Sequence, residues 1–327
     1  MGIPSQFARI ILREHRHRPI EGEILSIARQ TVYLSAETAI DLVERELGRP
    51  PRSAPSEVET DQQTRGAQGR RLITDRGFYS LFTGAGYNCL DVTAYEGANI
   101  IADLCSPLSP ELEGRFDFIV NGSCLDNIFD PAMALRNLTR LLKPGGRIIH
   151  MERASRAHNV YVAFALSWFH DYYAVNNFED CQVYLAQWDN LLEGRWDIYH
   201  YSPVIDDGRE FSYFGEDRYY FPHRHAHAIV IAEKGVASTS EKSPIQFGYR
   251  PGLTAEELNG PGQRVPRLAP IDPLDPYFRS ALRFFRSSRA PIVTEADKIQ
   301  LPDHLFHYDP RIPLSGSIQP LTQTADK

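Results

Sequence analysis

Residues 116–152 constrain the fold more than any other part of the sequence. They begin with an apolar run at residues 116–120, of the kind found in strands that are covered on both faces. Asp-Pro at residues 130–131 suits the start of a helix, because Asp can cap it and Pro has no N–H to leave unpaired. Pro-Gly-Gly at residues 144–146 ends that helix, and a second apolar run follows at residues 147–151. A strand, a helix and a strand this close together predict a parallel, right-handed unit, which is half of a doubly wound sheet.

The composition argues against several functional classes. Apolar residues make up 42% of the chain and charged residues 24%, as in ordinary globular proteins. The net charge of −7 argues against a broad contact with nucleic acid. No apolar run approaches the roughly 18 residues that a membrane span needs, and the four cysteines lack paired spacing. We therefore expect a cytoplasmic protein with no membrane span and no nucleic-acid partner.

Changes in local pattern predict the domain organisation. Residues 1–20 form an N-terminal helical lead, in which residues 5–17 cover an edge of the sheet, and residues 21–235 form the main domain. Within that domain residues 49–71 contain almost nothing apolar, which indicates a flexible insertion. Residues 236–327 hold more than half of the 23 prolines and predict an extension that wraps the domain or contacts a partner protein or second copy.

Further strands and helices are predicted on both sides of the central stretch. Before it, strands are predicted at residues 22–28, 89–92 and 99–103. After it, an aromatic-rich helix is predicted at residues 160–173, and a helix within the extension at residues 276–288. Three later strands are plausible, at residues 182–187, 196–201 and 225–232.

The central stretch also carries a family resemblance. Residues 141–147 read LLKPGGR and, with the Phe-Asp run at residues 116–120, resemble the fourth and fifth strands of class I S-adenosylmethionine-dependent methyltransferases. The resemblance implies a Rossmann-like α/β fold with a doubly wound, seven-stranded, mostly parallel sheet and an antiparallel final strand pair. Two of the three later strands would supply that pair.

The first strand departs from the common form of that family. It usually ends in a Gly-rich loop, whereas residues 26–30 read SIARQ and contain no glycine. This pattern resembles a divergent subgroup in which the first strand ends in GRQ. Residues 91–98, DVTAYEGA, and residues 100–104, IIADL, are similar to the following strands of the same subgroup. The resemblance spans roughly residues 23–175 and implies S-adenosylmethionine as the cofactor.

The resemblance also implies which residues meet the cofactor. Asp91 would accept hydrogen bonds from the ribose hydroxyls, a task for which a carboxylate has enough lone pairs. Asp103 and the backbone of Leu104 would meet the adenine. Aspartates at strand ends are also common turn residues, so that interpretation stays open for both. The predicted cofactor contacts are Ile27, Ala28, Arg29, Asp91, Asp103, Leu104, Asn121 and Gly122.

The predicted catalytic residues are Asp126 and His150. Methyl transfer from a sulfonium requires mainly positioning, with a base where the acceptor must lose a proton. Many relatives carry Leu-Glu-His after the fourth strand, where residues 125–127 here read LDN and keep only the carboxylate. His150 lies at the end of the fifth strand and has the near-neutral pKa of a base, unless it packs under a helix instead.

Two other groups of side chains have the residue types of a functional site. His158, Tyr161, His170 and Tyr172 lie on the segment that covers the acceptor in the family, although Tyr161 and Trp168 are more typical of a core than of a contact. His223, His225 and His227 would share one face of a strand and could hold zinc or nickel. No acidic residue or cysteine is adjacent to them, so we predict no metal.

The predicted function is methyl transfer from S-adenosylmethionine to an oxygen or nitrogen of a small molecule or sugar. The missing glycines and the missing histidine of the Leu-Glu-His pattern leave two alternatives open. One is a non-catalytic binding or scaffold protein, and the other is a sugar-modifying enzyme of another type on the same fold.

Overall fold

The computed structural model describes residues 2–155, 160–188, 192, 196–201, 225–246 and 278–280. The helices in these residues are α1 Ser5–His17, α2 Ala36–Leu47, α3 Asp75–Ser80, α4 Pro131–Leu141 and α5 Leu166–Val175. The first strands are β1 Gly2–Ile3, β2 Glu23–Ile27, β3 Thr31–Val32, β4 Gly86–Asp91, β5 Ile100–Ile101 and β6 Phe116–Gly122. The later strands are β7 Leu142–Arg153, β8 Asp180–Trp188, β9 Trp196–His200, β10 His225–Glu233 and β11 Phe278–Ser280.

The main sheet has the order β11-β9-β8-β10-β7-β6-β2-β4-β5. From β7 to β5 every pair of neighbours is parallel. The strand β10 is antiparallel to both β7 and β8. The seven strands from β8 to β5 therefore form the predicted Rossmann-like sheet, and β9 and β11 extend it beyond β8. All three of the later strands that the sequence left open are present.

Apolar side chains cover the sheet on both faces. One buried cluster joins α1, α2 and α3 to the sheet through residues such as Phe7, Val43 and Phe78. The other cluster joins α4 and α5 to the opposite face through residues such as Leu138 and Phe169. Helices on both faces leave the ends of the strands as the open edge of the domain, where α/β proteins bind ligands.

The central unit has the predicted form. Asp130 caps α4 by accepting a hydrogen bond from the Met133 N–H at 3.0 Å, and Pro131 is the first helical residue. The strand assignment of β7 begins at Leu142, and its pairing with β6 shifts register between Phe116 and Phe118. The Pro-Gly-Gly turn lies inside that irregular part of β7.

The N-terminal helix lies on a face of the sheet, which corrects the expected position at an edge. Phe7 and Ile10 of α1 are fully buried in the same cluster as Ile149 of β7. The Arg147 guanidinium of β7 pairs with the Glu14 carboxylate at 2.5 Å, and both side chains are buried. A buried ion pair and a full apolar face hold α1 against the middle of the sheet.

Residues 49–71 fold back onto the domain. Thr60 and Ile73 form an antiparallel bridge, and the Thr31 hydroxyl donates to the Thr64 hydroxyl at 2.9 Å. Asp61 is 2% exposed and accepts hydrogen bonds from the N–H groups of Gln63 and Thr64. Polar residues can pack in this way because their side chains satisfy the loop backbone.

The C-terminal part differs from two sequence predictions. The aromatic-rich helix α5 starts at Leu166, later than predicted. Of the predicted helix at residues 276–288, only 278–280 are described, and they form a strand parallel to β9. Pairing supplies backbone partners that an edge strand would otherwise lack. Residues 236–246 pack on α5, where the Asn176 amide donates to the Lys242 carbonyl at 3.0 Å; the rest of the predicted extension lies outside the described residues.

Candidate functional site

A cavity of about 230 Å³ lies at the carboxyl ends of β2 and β4. The chain runs outward from β2 to β4 and β5 on one side and returns to β6 and β7 on the other, so this is the point where the strand order switches. The lining residues are Ile27, Ala28, Leu90, Asp91, Val92, Ala102, Asp103, Leu104, Cys124, Asn127 and Ile128. Apolar walls with a few polar groups are typical of ligand pockets, although this one is smaller than the usual range of roughly 300–1,000 Å³.

Most of the predicted cofactor contacts meet at this cavity. Ile27, Ala28, Asp91, Asp103 and Leu104 line it, although they come from three separate segments of the sequence. The other three predicted contacts, Arg29, Asn121 and Gly122, are not part of its lining. They lie behind it and shape the two strand ends instead.

The two aspartates at the cavity differ in how they are bound. Asp91 is partly buried, and its carboxylate accepts only a long hydrogen bond from the Thr93 N–H, at 3.4 Å. Asp103 is exposed and accepts from the Cys105 N–H at 2.8 Å and from the Ser106 hydroxyl at 2.9 Å. Asp103 therefore acts as a turn residue as well as a cavity residue, whereas Asp91 keeps most of its hydrogen-bonding capacity for a ligand.

The end of β2 adopts a conformation that usually needs glycine. Ala28 has a φ of 54°, in the left-handed region that side chains with a Cβ disfavour. The Ser26 hydroxyl donates to the Ala28 carbonyl at 2.8 Å, and the Gln30 amide donates to the Ile27 carbonyl at 2.6 Å. Side-chain hydrogen bonds thus fix the turn that a Gly-rich loop forms by its own flexibility.

Asp75 organises the same turn from α3, which the sequence did not indicate. It is fully buried and its carboxylate accepts from the Gln30 N–H at 3.0 Å. The Arg29 guanidinium pairs with it at 3.0 Å, and the Tyr87 hydroxyl donates to it at 2.5 Å. Burial raises the pKa of Asp75, while the charge of Arg29 and these donors oppose that rise.

The end of β6 contains a second left-handed residue, Ser123, with a φ of 66°. Gly122 precedes it, and a side chain at that position would collide with the Gln30 amide. The two strand ends are therefore in direct contact. The Asn121 side-chain Oδ1 accepts from the Cys124 N–H at 3.1 Å, so Asn121 supports the turn rather than the cavity wall.

Glu152 of β7 holds the residues after β6. It is fully buried and accepts hydrogen bonds from the N–H groups of Cys124, Leu125 and Asp126 at 3.0–3.2 Å and from the Asn121 amide at 2.6 Å. Burial and the nearby Asp126 carboxylate raise the pKa of Glu152 to about 8, against the opposing effect of its donors. The sequence placed Glu152 beside His150 but did not indicate this role.

The two predicted bases lie behind the cavity wall. Asp126 is fully buried and accepts from the Ser123 hydroxyl at 2.5 Å and from the Asn127 amide. Burial raises the pKa of Asp126, and the hydrogen bond from Ser123 and the charge of Arg153 oppose that rise. Of this group, Asn127 is the residue that reaches the cavity.

His150 packs in the core and does not face the cavity as the base prediction required. Its side chain is fully buried, with Nδ1 at 2.8 Å from the Asn121 amide and Nε2 at 2.7 Å from the Tyr173 hydroxyl. Burial lowers the pKa of His150 to about 3. The alternative that His150 packs under a helix describes its position, because its ring lies against Phe169 of α5.

The segment expected to cover the acceptor contributes one exposed aromatic residue. Tyr161 is 69% exposed and contacts Phe129, itself 84% exposed, with ring centroids 5.8 Å apart. Its backbone N–H donates to the Asp126 carbonyl at 2.8 Å, so it stays next to the cavity-lining residues 127–128. His170 and Tyr172 are buried, Trp168 is partly buried, and His158 lies outside the described residues.

A larger cavity of about 500 Å³ lies between α4, α5 and residues 243–246. Its wall mixes apolar side chains with polar ones such as Arg136 and Asp171, and it includes Trp168 and Tyr172 of the segment expected to cover the acceptor. Its lining residues come from α4, α5 and the segments beside them, and none lies at the carboxyl end of a parallel strand, so we place the candidate site at the smaller cavity.

The described residues give no further support to a metal site or a membrane span. Of the three predicted histidines His223 lies outside them, and the His227 ring packs on Trp188 with centroids 4.5 Å apart. No group of three or more His, Cys, Asp or Glu side chains in these residues is arranged to hold a metal ion. Among the same residues no helix has the length and apolarity to cross a membrane.

Several solved structures similar to this chain cover about 70% of it. They include a citrinin polyketide synthase CMeT domain, at 13% identity with 71% of this chain and 52% of the other covered and a TM-score of 0.35. A phosphoethanolamine N-methyltransferase 2 from Haemonchus contortus has 12% identity, with 71% and 54% covered and a TM-score of 0.35. The YcgJ protein from Bacillus subtilis has 11% identity, with 70% and 99% covered and a TM-score of 0.37. The chain thus spans about half the length of the first two.

The sequence itself matches a known family. No curated protein matches the chain. A family model described as a methyltransferase domain matches residues 21–193, which is more than half of the 327 residues. The matched part contains β2 to β7 and the whole wall of the smaller cavity. The protein therefore belongs to the methyltransferase-domain family.

Proposed function

We propose that the protein transfers a methyl group from S-adenosylmethionine to an oxygen or nitrogen of a small molecule or sugar. The observation that carries this proposal is the cavity at the strand-order switch, where Asp91 of β4 and Asp103 after β5 meet apolar walls. These residues fit the cofactor, because a ribose needs hydrogen-bond acceptors and an adenine needs an apolar slot with a polar edge.

The residues divide the cofactor between them. Asp91 accepts hydrogen bonds from the ribose hydroxyls, while Leu104 and Ile128 enclose the adenine beside Asp103. The bound cofactor supplies an activated methyl group, so the protein's main task is to align the acceptor with it. Ala28 and Cys124, on opposite sides of the cavity, leave room for the methionine part between the ends of β2 and β6.

The acceptor side is formed by Asn127 and the exposed pair Phe129 and Tyr161. The two exposed rings meet edge to face, so they form an apolar corner in which one ring face is open to the ring of a small molecule or sugar. We propose Asp126 as the base where a hydroxyl must lose its proton, because its raised pKa brings it nearer to neutrality. Its carboxylate reaches the acceptor through movement of the exposed Asn127 side chain, which now covers it.

A second candidate is a protein that binds the cofactor without transferring its methyl group. The titratable side chains in the described cavity wall are Asp91, Asp103 and Cys124. Burial raises the pKa of the Cys124 thiol, with Glu152 adding to the effect, so that Cys124 is a poor base. This observation favours binding alone unless Asp126 becomes accessible.

Isothermal titration with S-adenosylmethionine and S-adenosylhomocysteine tests the cofactor directly. We expect micromolar binding to the wild type and at least about tenfold weaker binding to Asp91→Ala, since the hydrogen bonds of a carboxylate contribute roughly 1.5–3 kcal/mol. The matched control is Asp41→Ala, an exposed aspartate on α2, which should bind like the wild type. No binding at millimolar cofactor would contradict the proposal.

An activity screen then separates the two candidates. The release of S-adenosylhomocysteine is measured with panels of sugars and of ring-containing alcohols and amines. Turnover that Asp126→Asn abolishes while cofactor affinity is kept would support methyl transfer with Asp126 as the base. Tight cofactor binding without turnover on any acceptor would favour the binding protein.

A further inference from the structure

The end of β2 is the least expected part of the site. Its turn holds a non-glycine residue, Ala28, in the left-handed region at the wall of the cavity. An alanine in this conformation is disfavoured relative to glycine, so the surrounding structure must impose it. Ala28 continues the pairing with β4 by donating its N–H to the Leu90 carbonyl at 2.8 Å. The turn therefore has to be tight enough to reverse the chain immediately after a paired residue.

Several residues in and around the turn after β2 bind the Asp75 carboxylate. Its Oδ2 accepts from the Gln30 N–H at 3.0 Å and from the Tyr87 hydroxyl at 2.5 Å, with the Ser26 hydroxyl at 3.5 Å. Its Oδ1 pairs with the Arg29 guanidinium at 3.0 Å. The residues on both sides of Ala28 are thus tied to one fully buried carboxylate.

The folded-back segment of residues 61–67 closes the arrangement from the outside. The Arg29 guanidinium lies 3.4 Å from the Gln63 side-chain oxygen, and Gln63 also packs against Gly97 after β4. The Arg65 N–H donates to the Glu96 carboxylate at 3.2 Å. The turns after β2 and β4 are therefore linked through this segment, on the side of the cavity that holds Asp91.

We propose that Asp75 is a positioning residue for the cofactor, replacing with side-chain contacts the backbone freedom that glycines give to a Gly-rich loop. It holds Arg29 and Gln30 so that Ala28 stays left-handed and its backbone faces the cavity between the ends of β2 and β6. This inference rests on the proposed function. Asp75 bonds the turn after β2 and Tyr87, whereas the carboxylates of Asp91 and Asp103 bond to their own turns after β4 and β5. Asp75 therefore acts on the methionine part of the cofactor and not on the adenosine part.

Two substitutions give the inference a specific test. In Asp75→Asn the ion pair with Arg29 is lost, Ala28 can relax, and S-adenosylmethionine and S-adenosylhomocysteine should bind about tenfold more weakly. Binding of adenosine should change by less than about threefold, since its contacts are untouched. Adding Ala28→Gly to Asp75→Asn should restore most of the lost affinity, because glycine adopts the turn without being held.

The controls separate positioning from general damage. Ala28→Gly alone completes the double-mutant cycle, and Asp41→Ala, at an exposed position on α2, should bind both cofactors within about threefold of the wild type. Tyr87→Phe removes one hydroxyl from Asp75 and should weaken both cofactors by a smaller factor, so it serves if Asp75→Asn does not fold. Circular dichroism and thermal unfolding establish that each variant is folded before titration.

The outcomes distinguish this inference from the proposed function. If the wild type binds neither cofactor, the proposed function fails and the role of Asp75 fails with it. If the wild type binds but a folded Asp75→Asn binds equally well, the role of Asp75 alone is wrong. The role is also wrong if adenosine affinity falls as much as that of S-adenosylmethionine, or if Ala28→Gly restores nothing in the double variant.

Discussion

The turns after β2 and β6 have the same unusual backbone conformation, but different side-chain contacts stabilise it. Each holds a non-glycine residue in the left-handed region, Ala28 after β2 and Ser123 after β6. Each turn is fixed by a fully buried carboxylate from a distant part of the sequence, Asp75 for the first and Glu152 for the second. At both strand ends the left-handed residue is thus held by side chains, although the end of β6 also needs Gly122 for its close contact with Gln30.

The two carboxylates differ in their partners. Asp75 faces an opposite charge, Arg29, and partners such as Tyr87 that are only partly buried. Glu152 faces backbone N–H groups and a like charge, Asp126, which contributes to its raised pKa. The turn after β2 therefore depends on an ion pair near the cavity. The turn after β6 depends on buried N–H donors around Glu152, a carboxyl group whose raised pKa favours its protonated form.

The largest expected effect is the loss of stability on removing Glu152. Glu152→Ala removes the acceptor of the Leu125 and Asp126 N–H groups and one of two acceptors of the Cys124 N–H and the Asn121 amide. Because these groups surround a fully buried position, we expect the free energy of unfolding to fall by about 3–5 kcal/mol. Asp75→Ala should cost less, about 2–3 kcal/mol, because Arg29 and Tyr87 lie close enough to water to find new partners. Urea unfolding of both variants measures the difference.

A surface substitution serves as the control for these two stability measurements. Glu111→Ala replaces an exposed glutamate and should change stability by less than about 0.5 kcal/mol. If Asp75→Ala were the more destabilising of the two, the ion pair after β2 and not the N–H network after β6 would be the stronger structural element.

A pH series sharpens the contrast between the two turns. The pKa of Glu152 is raised in the folded state to about 8, so between about pH 4.5 and 8 the folded protein holds a proton that the unfolded chain has released. The stabilisation from Glu152 is therefore complete below pH 4.5 and is lost as the pH rises through 8, by up to about 1.4 kcal/mol per pH unit. The stability difference between wild type and Glu152→Gln should shrink from pH 5 to pH 8 in urea unfolding, and a constant or growing difference would contradict this.

The smallest expected effect concerns the core beside β6. Tyr173→Phe removes the hydroxyl that lies 2.7 Å from His150 Nε2, and we expect a loss of about 1 kcal/mol in unfolding free energy. Neither residue lines the cavity, so cofactor affinity should not change. If Tyr173→Phe weakened cofactor binding as much as Asp91→Ala does, His150 would have to be part of the cofactor site.

Local signals in the sequence predicted the parts of the molecule that local physics determines. The cap at Asp130, the helix α4 and the strands on either side of it depend on neighbouring residues and were predicted correctly. The positions of Asp91 and Asp103 at one cavity follow from their places at the ends of parallel strands. The length of the sheet beyond β8 and the strand β11 depend on distant pairing, which no local pattern contains.

Long-range contacts account for what the sequence did not reveal. Asp75 resembles any acidic residue in the first turn of a helix, and it lies 45 residues from Gln30, whose N–H it binds. The face on which His150 lies could not be read from alternation, because β7 is buried on both sides. The sequence pattern of β7 therefore fits a histidine base at the cavity and a histidine in the core equally well.

A crystal structure of the protein with S-adenosylhomocysteine would test the central claim most directly. We predict that the ribose hydroxyls lie within hydrogen-bonding distance of the Asp91 carboxylate, with the homocysteine part between Ala28 and Cys124. A ligand bound instead in the larger cavity between α4 and α5, with Asp91 free, would contradict the account of the site.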